Sequence, residues 1–130
     1  MKKIVLLLSI PFLFALNAKA QEADKIYNKV DVQAAFVGGS NAWNRFLRKN
    51  LNPAVIKNGT APKGIYHVIL RFVVGKDSLV TDIVAETRHG YGFEEEAKRV
   101  MALSPKWKPA LVGTTPVNAY RRQPITFLVN

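Results

Sequence analysis

The chain has 130 residues, no cysteine, and 19 Lys and Arg against 9 Asp and Glu, a formal net charge of +10. That length holds one domain with one modest core, and the absence of cysteine excludes disulfides, thiolate metal sites, thiol nucleophiles and a lipidated N-terminal cysteine. A positive excess suggests nucleic acid in a cytosolic protein, but the first residues direct this chain elsewhere.

Met1, Lys2 and Lys3 form a basic head, Ile4 to Leu16 is a nearly unbroken apolar run, and Asn17 to Ala20 ends in a small-x-small pattern. These are the three parts of a secretory signal peptide over residues 1–20, with cleavage after Ala20. The apolar run falls short of the roughly twenty residues a membrane span needs; an uncleaved anchor is the alternative. Cleavage removes Lys2, Lys3 and Lys19 and no acid, so the net charge falls from +10 to +7. The counter-charges outside the cytoplasm are anionic headgroups, cell-wall polymers and acidic peptide segments, with no role for nucleic acid.

Residues 21–31 read as a short polar lead-in that pairs late or stays loose, and residues 32–130 as the domain. Gly38 and Gly39 precede a helix capped by Ser40 or Asn41 and running to about Asn50, with Ala42, Trp43, Phe46 and Leu47 on one face and Arg45, Arg48 and Lys49 outside. An irregular connection follows, with one helical turn at Ala54 to Lys57. Ile65 to Val74 (IYHVILRFVV) is β-branched and aromatic enough to be a strand, and so continuously apolar that it is expected to be covered or flanked on both sides. A turn at Gly75 to Ser78 leads to its antiparallel partner, Leu79 to Arg88, with Leu79, Thr81, Ile83 and Ala85 as the expected core face. Phe93 to Leu103 is an amphipathic helix that turns Phe93, Ala97, Val100, Met101 and, at its end, Leu103 inward. Glu94, Glu95 and Glu96 in its first turn complement the helix dipole. Adjacent helical residues point in different directions, which argues against a metal site there.

The last quarter organises the rest. Proline cannot continue a helix, so the helix ends near Ser104, and Trp107 sits between Pro105 and Pro109 on a stiff connector. A side chain of that size held so firmly plugs a core or a partner. Val117 to Leu128 is a final strand interrupted by Pro124, a residue that belongs on a sheet edge or at a bulge. A helical crossover returns this strand parallel to the second hairpin strand and hence beside the first. The expected fold is α+β and two-layered, a three-stranded antiparallel sheet with two helices packed on one face. Its order is hairpin strand two, hairpin strand one, last strand, and the last strand keeps a free edge.

No catalytic constellation can be assembled, so the chain does not read as an enzyme. His67 lies within the central strand and His89 after the next one, without carboxylate or cysteine partners at metal or nucleophile spacing; Ser40 and Ser78 are cap and turn residues. No cofactor loop and no metal ligand set is present. A free sheet edge, in contrast, accepts an extended peptide as an added strand. Arg121 and Arg122, with Lys106 and Lys108 on the connector, form a basic surround suited to an acidic segment. The same cations discourage edge-to-edge aggregation, and the residues leave both readings standing.

The series PKWKP at Pro105 to Pro109, the turn at Gly113, Pro116 and Val117, and PITF at Pro124 to Phe127 follow a hairpin turn at Lys76 and Asp77 and a helix containing EEAKRVM. This combination resembles the C-terminal domain of TonB energy transducers. FVGGSNAWNRFLRKNLNP, Phe36 to Pro53, is similar to the form in which two glycines and a helix precede that domain. The sequence departs from the pattern at Val37, where the family has proline, at Asn52, where it has tyrosine, at Ser78, where it has glycine, and in a longer spacing from Gly59 to Gly64.

The resemblance implies a periplasmic domain that captures the TonB box of an outer-membrane transporter by strand addition, supporting TonB-dependent transport. Carried onto this sequence, the pairing strand is Val117, Asn118, Ala119, Tyr120, Arg121 and Arg122, with Asn52 and Pro53 as a secondary contact. Strand pairing between two copies, a homodimer, is a second use of the same edge. Family transducers reach an inner-membrane motor through a long proline-rich linker. Here Gln21 to Asp31 spans at most about 35 Å, so after cleavage the domain binds without a tether. The alternatives are a short inner-membrane-anchored transducer with an uncleaved N-terminal helix, and a protein that binds cell-wall or other anionic polymers.

Overall fold

The computed structural model describes residues 25–56 and 60–130. The signal peptide read over residues 1–20 lies outside these, as does Lys57 at the end of the expected helical turn. In chain order the elements are β1 (Ile26–Tyr27), β2 (Ala35–Phe36), α1 (Gly39–Asn50), a 3-10 turn (Pro53–Val55), β3 (Gly64–Val74), β4 (Val80–Ala85), α2 (Phe93–Ala102), β5 (Trp107–Lys108), β6 (Ala110–Val112) and β7 (Thr115–Val129).

The main sheet runs β1-β7-β3-β4, with β6 also paired to β7, and β2 and β5 form a separate two-stranded sheet. Its centre is the expected antiparallel trio: β3 pairs β7 from Gly64 opposite Val129 to Val74 opposite Ala119, and β4 from Leu70 opposite Ala85 to Val74 opposite Val80. The expectation of three strands is corrected to five in a mixed sheet, because β1 adds to β7 in parallel, Ile26 against Asn118 and Tyr27 against Ala119. The lead-in thus pairs late, one of its two expected outcomes, although a two-residue strand carries no periodicity that would place it beforehand.

Both helices supply the core on one side of this sheet, where Val68, Leu70, Phe72 and Val74 of β3 meet Phe93, Ala97 and Met101 of α2, Trp43 of α1 and Trp107. The opposite side carries Ile65 and, directly across from it, Leu128, 63% and 66% exposed. β3 is flanked on both sides, by β7 and β4, as expected of so apolar a run; burial alternates along its first half, and of its outward apolar residues Ile65 is exposed, Ile69 half-buried and Val73 buried. Leu103, just past the end of α2, is exposed and does not join the core. Trp107 is the plug that the flanking prolines suggested. It is 1% exposed, its ring lies 5.1 Å from Phe72, 5.6 Å from Phe36 and 5.8 Å from Trp43, and its indole N–H donates to the Ser104 hydroxyl.

Three local expectations are replaced for physical reasons. Gly38 caps α1 with φ 95° and no side-chain cap bond, so neither Ser40 nor Asn41 is the cap; a Cβ at Gly38 would lie 2.7 Å from that of Ala42. In β4 the register slips between Arg71 and Val73, where Asp82 adopts φ 53° as an extra residue. The bulge changes parity, so Val80, Ile83 and Ala85 pack on the core while Leu79 and Thr81 face out. β7 is continuous through Pro124, which sits opposite Ile69.

The glutamates of α2 are structural. Glu96 is 1% exposed, takes two hydrogen bonds from Arg99 and one from the Asn52 N–H, and Arg99 also donates to the Asn50 carbonyl. This joins the end of α1 to α2. The Arg99 hydrogen bonds, opposed by burial and helped by the Asn52 N–H, hold the Glu96 carboxyl below the ordinary value of 4.5. Burial pushes Glu94 up, but bonds from the backbones of His89 and Gly90 and from the Thr87 hydroxyl outweigh it and leave that carboxyl lowered too.

Candidate functional site: the outer edge of the last strand

Strand β7 is fifteen residues long and has different neighbours along its length. Thr115, Pro116 and Val117 pair with β6, Asn118 and Ala119 with β1, and Ala119 to Val129 with β3. On the side away from β3, no strand among the described residues pairs with β7 beyond Ala119.

Which backbone groups face that side follows from Pro124. Its partner Ile69 turns both of its own backbone groups toward β4, its carbonyl accepting from the Glu86 N–H and its N–H donating to the Thr87 hydroxyl. Ile69 and Pro124 therefore form a pair without mutual hydrogen bonds, and Pro124 faces away from β3. Backbone direction alternates residue by residue, so Tyr120, Arg122, Pro124, Thr126 and Leu128 point to the outer edge. Proline is tolerated in the middle of a long strand because its missing N–H falls on the unpaired side.

The middle of this edge is closed by its own side chains. Arg121 donates from Nη1 to the Arg122 carbonyl at 2.6 Å, and Gln123 from Nε2 to the Pro124 carbonyl at 3.2 Å. What stays open is the C=O of Tyr120, the N–H of Arg122, and both groups of Thr126 and Leu128; the Tyr120 N–H is turned to β1, where Tyr27 pairs in parallel opposite Ala119. On the helix side of the edge, Ala35, Phe36, Ser40, Trp43, Arg121 and Gln123 line a cleft of about 140 Å³. On the other face, Arg71 stacks 5.0 Å from the Tyr120 ring and Arg122 pairs with Glu86 at 2.6 Å.

Of the residues expected to form the pairing strand, Val117, Asn118 and Ala119 already have partners within the chain. Only Tyr120, Arg121 and Arg122 lie on the open part. The extension to Thr126 and Leu128 was missed, although Pro124 signals it: once that proline is placed on an edge, every residue an even number of positions away shares its outward direction. The cover by β1 had no comparable signal. Asn52 caps the 3-10 turn through its side chain and gives its N–H to Glu96, so a hydrogen bond ties Asn52 to α2, while Pro53 opens the turn and its carbonyl accepts from the Ile56 N–H. Pro105, Trp107 and Pro109 shape the core and its connector. His67 bonds Thr126 and His89 bonds the His67 carbonyl, at 2.9 and 2.8 Å. Among the described residues no three His, Asp or Glu are grouped to hold a metal, and no helix is long and apolar enough to cross a membrane.

A helix-backed antiparallel hairpin, a crossover helix and a long last strand with a bare outer flank define an α+β domain with mixed sheets. Residues 67–129 match the family described as Gram-negative bacterial TonB protein C-terminal. No curated protein and no solved structure matches the chain.

Proposed function

We propose that the domain works in the periplasm as a peptide-binding module that takes the TonB box of an outer-membrane transporter, or a similar extended segment, as an added strand on β7. The observation that carries this reading is the uncovered outer edge from Tyr120 to Leu128. Backbone N–H and C=O groups there supply affinity, and the side chains beside them supply selectivity. The family match supports a transport role, and the basic surround supports an acidic partner. In this reading the signal peptide is removed on export.

Titration of the chain with synthetic TonB-box peptides, followed by amide resonances, tests the reading. Signals of Arg122, Thr126 and Leu128 should move, while those of Ala119, Ile125 and Phe127, turned toward β3, should move less. Outer-edge amides that stay in place at saturating peptide would overturn it. Sedimentation with and without peptide decides between peptide capture and pairing of two copies on the same edge.

A further inference from the structure

Arg121 is the cation on this edge without an acidic partner. Both ion pairs among the described residues lie elsewhere, Arg99 with Glu96 and Arg122 with Glu86. Arg121 instead spends its guanidinium on main-chain carbonyls, Nε to Ala34 at 2.8 Å and Nη1 to Arg122 at 2.6 Å. Partial burial alone lowers its pKa, with no carboxylate to offset the desolvation. A guanidinium carries five N–H donors and no acceptor, so donors remain along the cleft it lines with Trp43, Ser40 and Gln123.

The Arg122 carbonyl that Nη1 covers is the acceptor an added strand needs directly after Tyr120. Building on the strand-addition reading above, the geometry points to a position-specific lock: the guest residue opposite Arg121 is an aspartate or glutamate whose carboxylate enters the cleft and takes the guanidinium from the Arg122 carbonyl. One side chain then has two effects. The exchange gives the half-buried cation a charged partner, for which a carboxylate is the better acceptor. It also uncovers the carbonyl, so the next backbone rung can close. Parity supports the placement, because a residue opposite Arg121 shares its helix-side face. The volume of about 140 Å³ has room for about four or five waters at roughly 30 Å³ each, the scale of a short acidic side chain. A guest with an amide at that position meets Arg121 as a neutral acceptor and a covered rung.

The test compares two synthetic octapeptides of alternating valine and threonine, one with a single threonine replaced by glutamate and one with the same threonine replaced by glutamine. Each is titrated into the full chain. The glutamate peptide should bind about tenfold tighter, the scale of one charge-assisted hydrogen bond, and only it should move the Arg121 Nε–H resonance. Arg121→Gln should remove the preference, whereas Arg48→Gln, a loss of equal charge on the outer face of α1, should keep it. Equal affinities in the unaltered chain, with outer-edge amides shifting for both, would overturn the lock and leave strand addition intact. Outer-edge amides that move with neither peptide would overturn both. A preference that survives Arg121→Gln would mean general charge attraction and would also overturn the lock. The resonance and affinity of the unaltered chain decide the matter even where the Arg121 variant does not fold.

Discussion

The two edges of the main sheet are built differently. On one side β4 has six residues, is bent by the bulge at Asp82, and is continued by a loop whose side chains cap the neighbouring backbone: Thr87 takes the Ile69 N–H and His89 reaches the His67 carbonyl. On the other side β7 runs fifteen residues and stays bare along its last nine but for two self-made caps. Bulges and short strands are the ordinary protection against unwanted pairing. A chain that applies them to one flank and leaves the other long and regular has a use for the second.

Changes that break or sharpen this contrast differ in size. Trp107→Ala should act on both edges at once, since Trp107 supports Phe72 at the sheet centre and its backbone N–H bonds Ser78 in the β3–β4 turn. A loss of about 3–5 kcal/mol is expected for a buried tryptophan, measured by urea unfolding. Glu96→Gln should cost about 1–3 kcal/mol, because the buried carboxylate that accepts from Arg99 and the Asn52 N–H becomes a neutral amide with one acceptor oxygen fewer.

The acid limb gives a second measure of that site. Glu94 and Glu96 have folded pKa values below their unfolded ones, so their contribution is complete above about pH 4.5 and is lost as pH falls through the folded values. Glu96→Gln should therefore flatten the stability profile below pH 4.5, read from thermal melts across pH.

Thr126→Pro separates the edges more finely. It removes an outward N–H, as Pro124 already does, without touching the β3 ladder, so peptide affinity should drop several-fold while stability changes by about 1 kcal/mol or less. Deleting Asp82 is the mildest change for the core, because Val80, Ile83 and Ala85 keep their inward direction. It makes β4 regular, and self-association at high concentration, followed by sedimentation, should rise.

Much of the framework was legible before any coordinates. The strand from Ile65 to Val74, the helix from Phe93, the stop at Ser104 and the plug at Trp107 each rest on a strong local signal: a β-branched run, a helical period, or paired prolines. The sheet order followed from crossover geometry. What was not legible depends on contacts without periodicity. Two residues of the lead-in, Ile26 and Tyr27, cover part of β7, and one added residue at Asp82 reverses the facing of Leu79 and Thr81. At the site, Arg121 and Arg122 were named for their charge and for their place in the pairing strand, not for their contacts. Arg121 bridging to Ala34 and Arg122 reaching Glu86 are long-range bonds that no spacing reports.

Pro124 imposes one more property on anything laid along β7. A uniform strand edge lets a visitor slide by two residues and find every contact again. Here such a shift would bring a backbone carbonyl of the visitor against a position that has nothing to donate. The alignment is thus punctuated by an imino acid in the host's own backbone, and a repetitive visitor would still settle in one place.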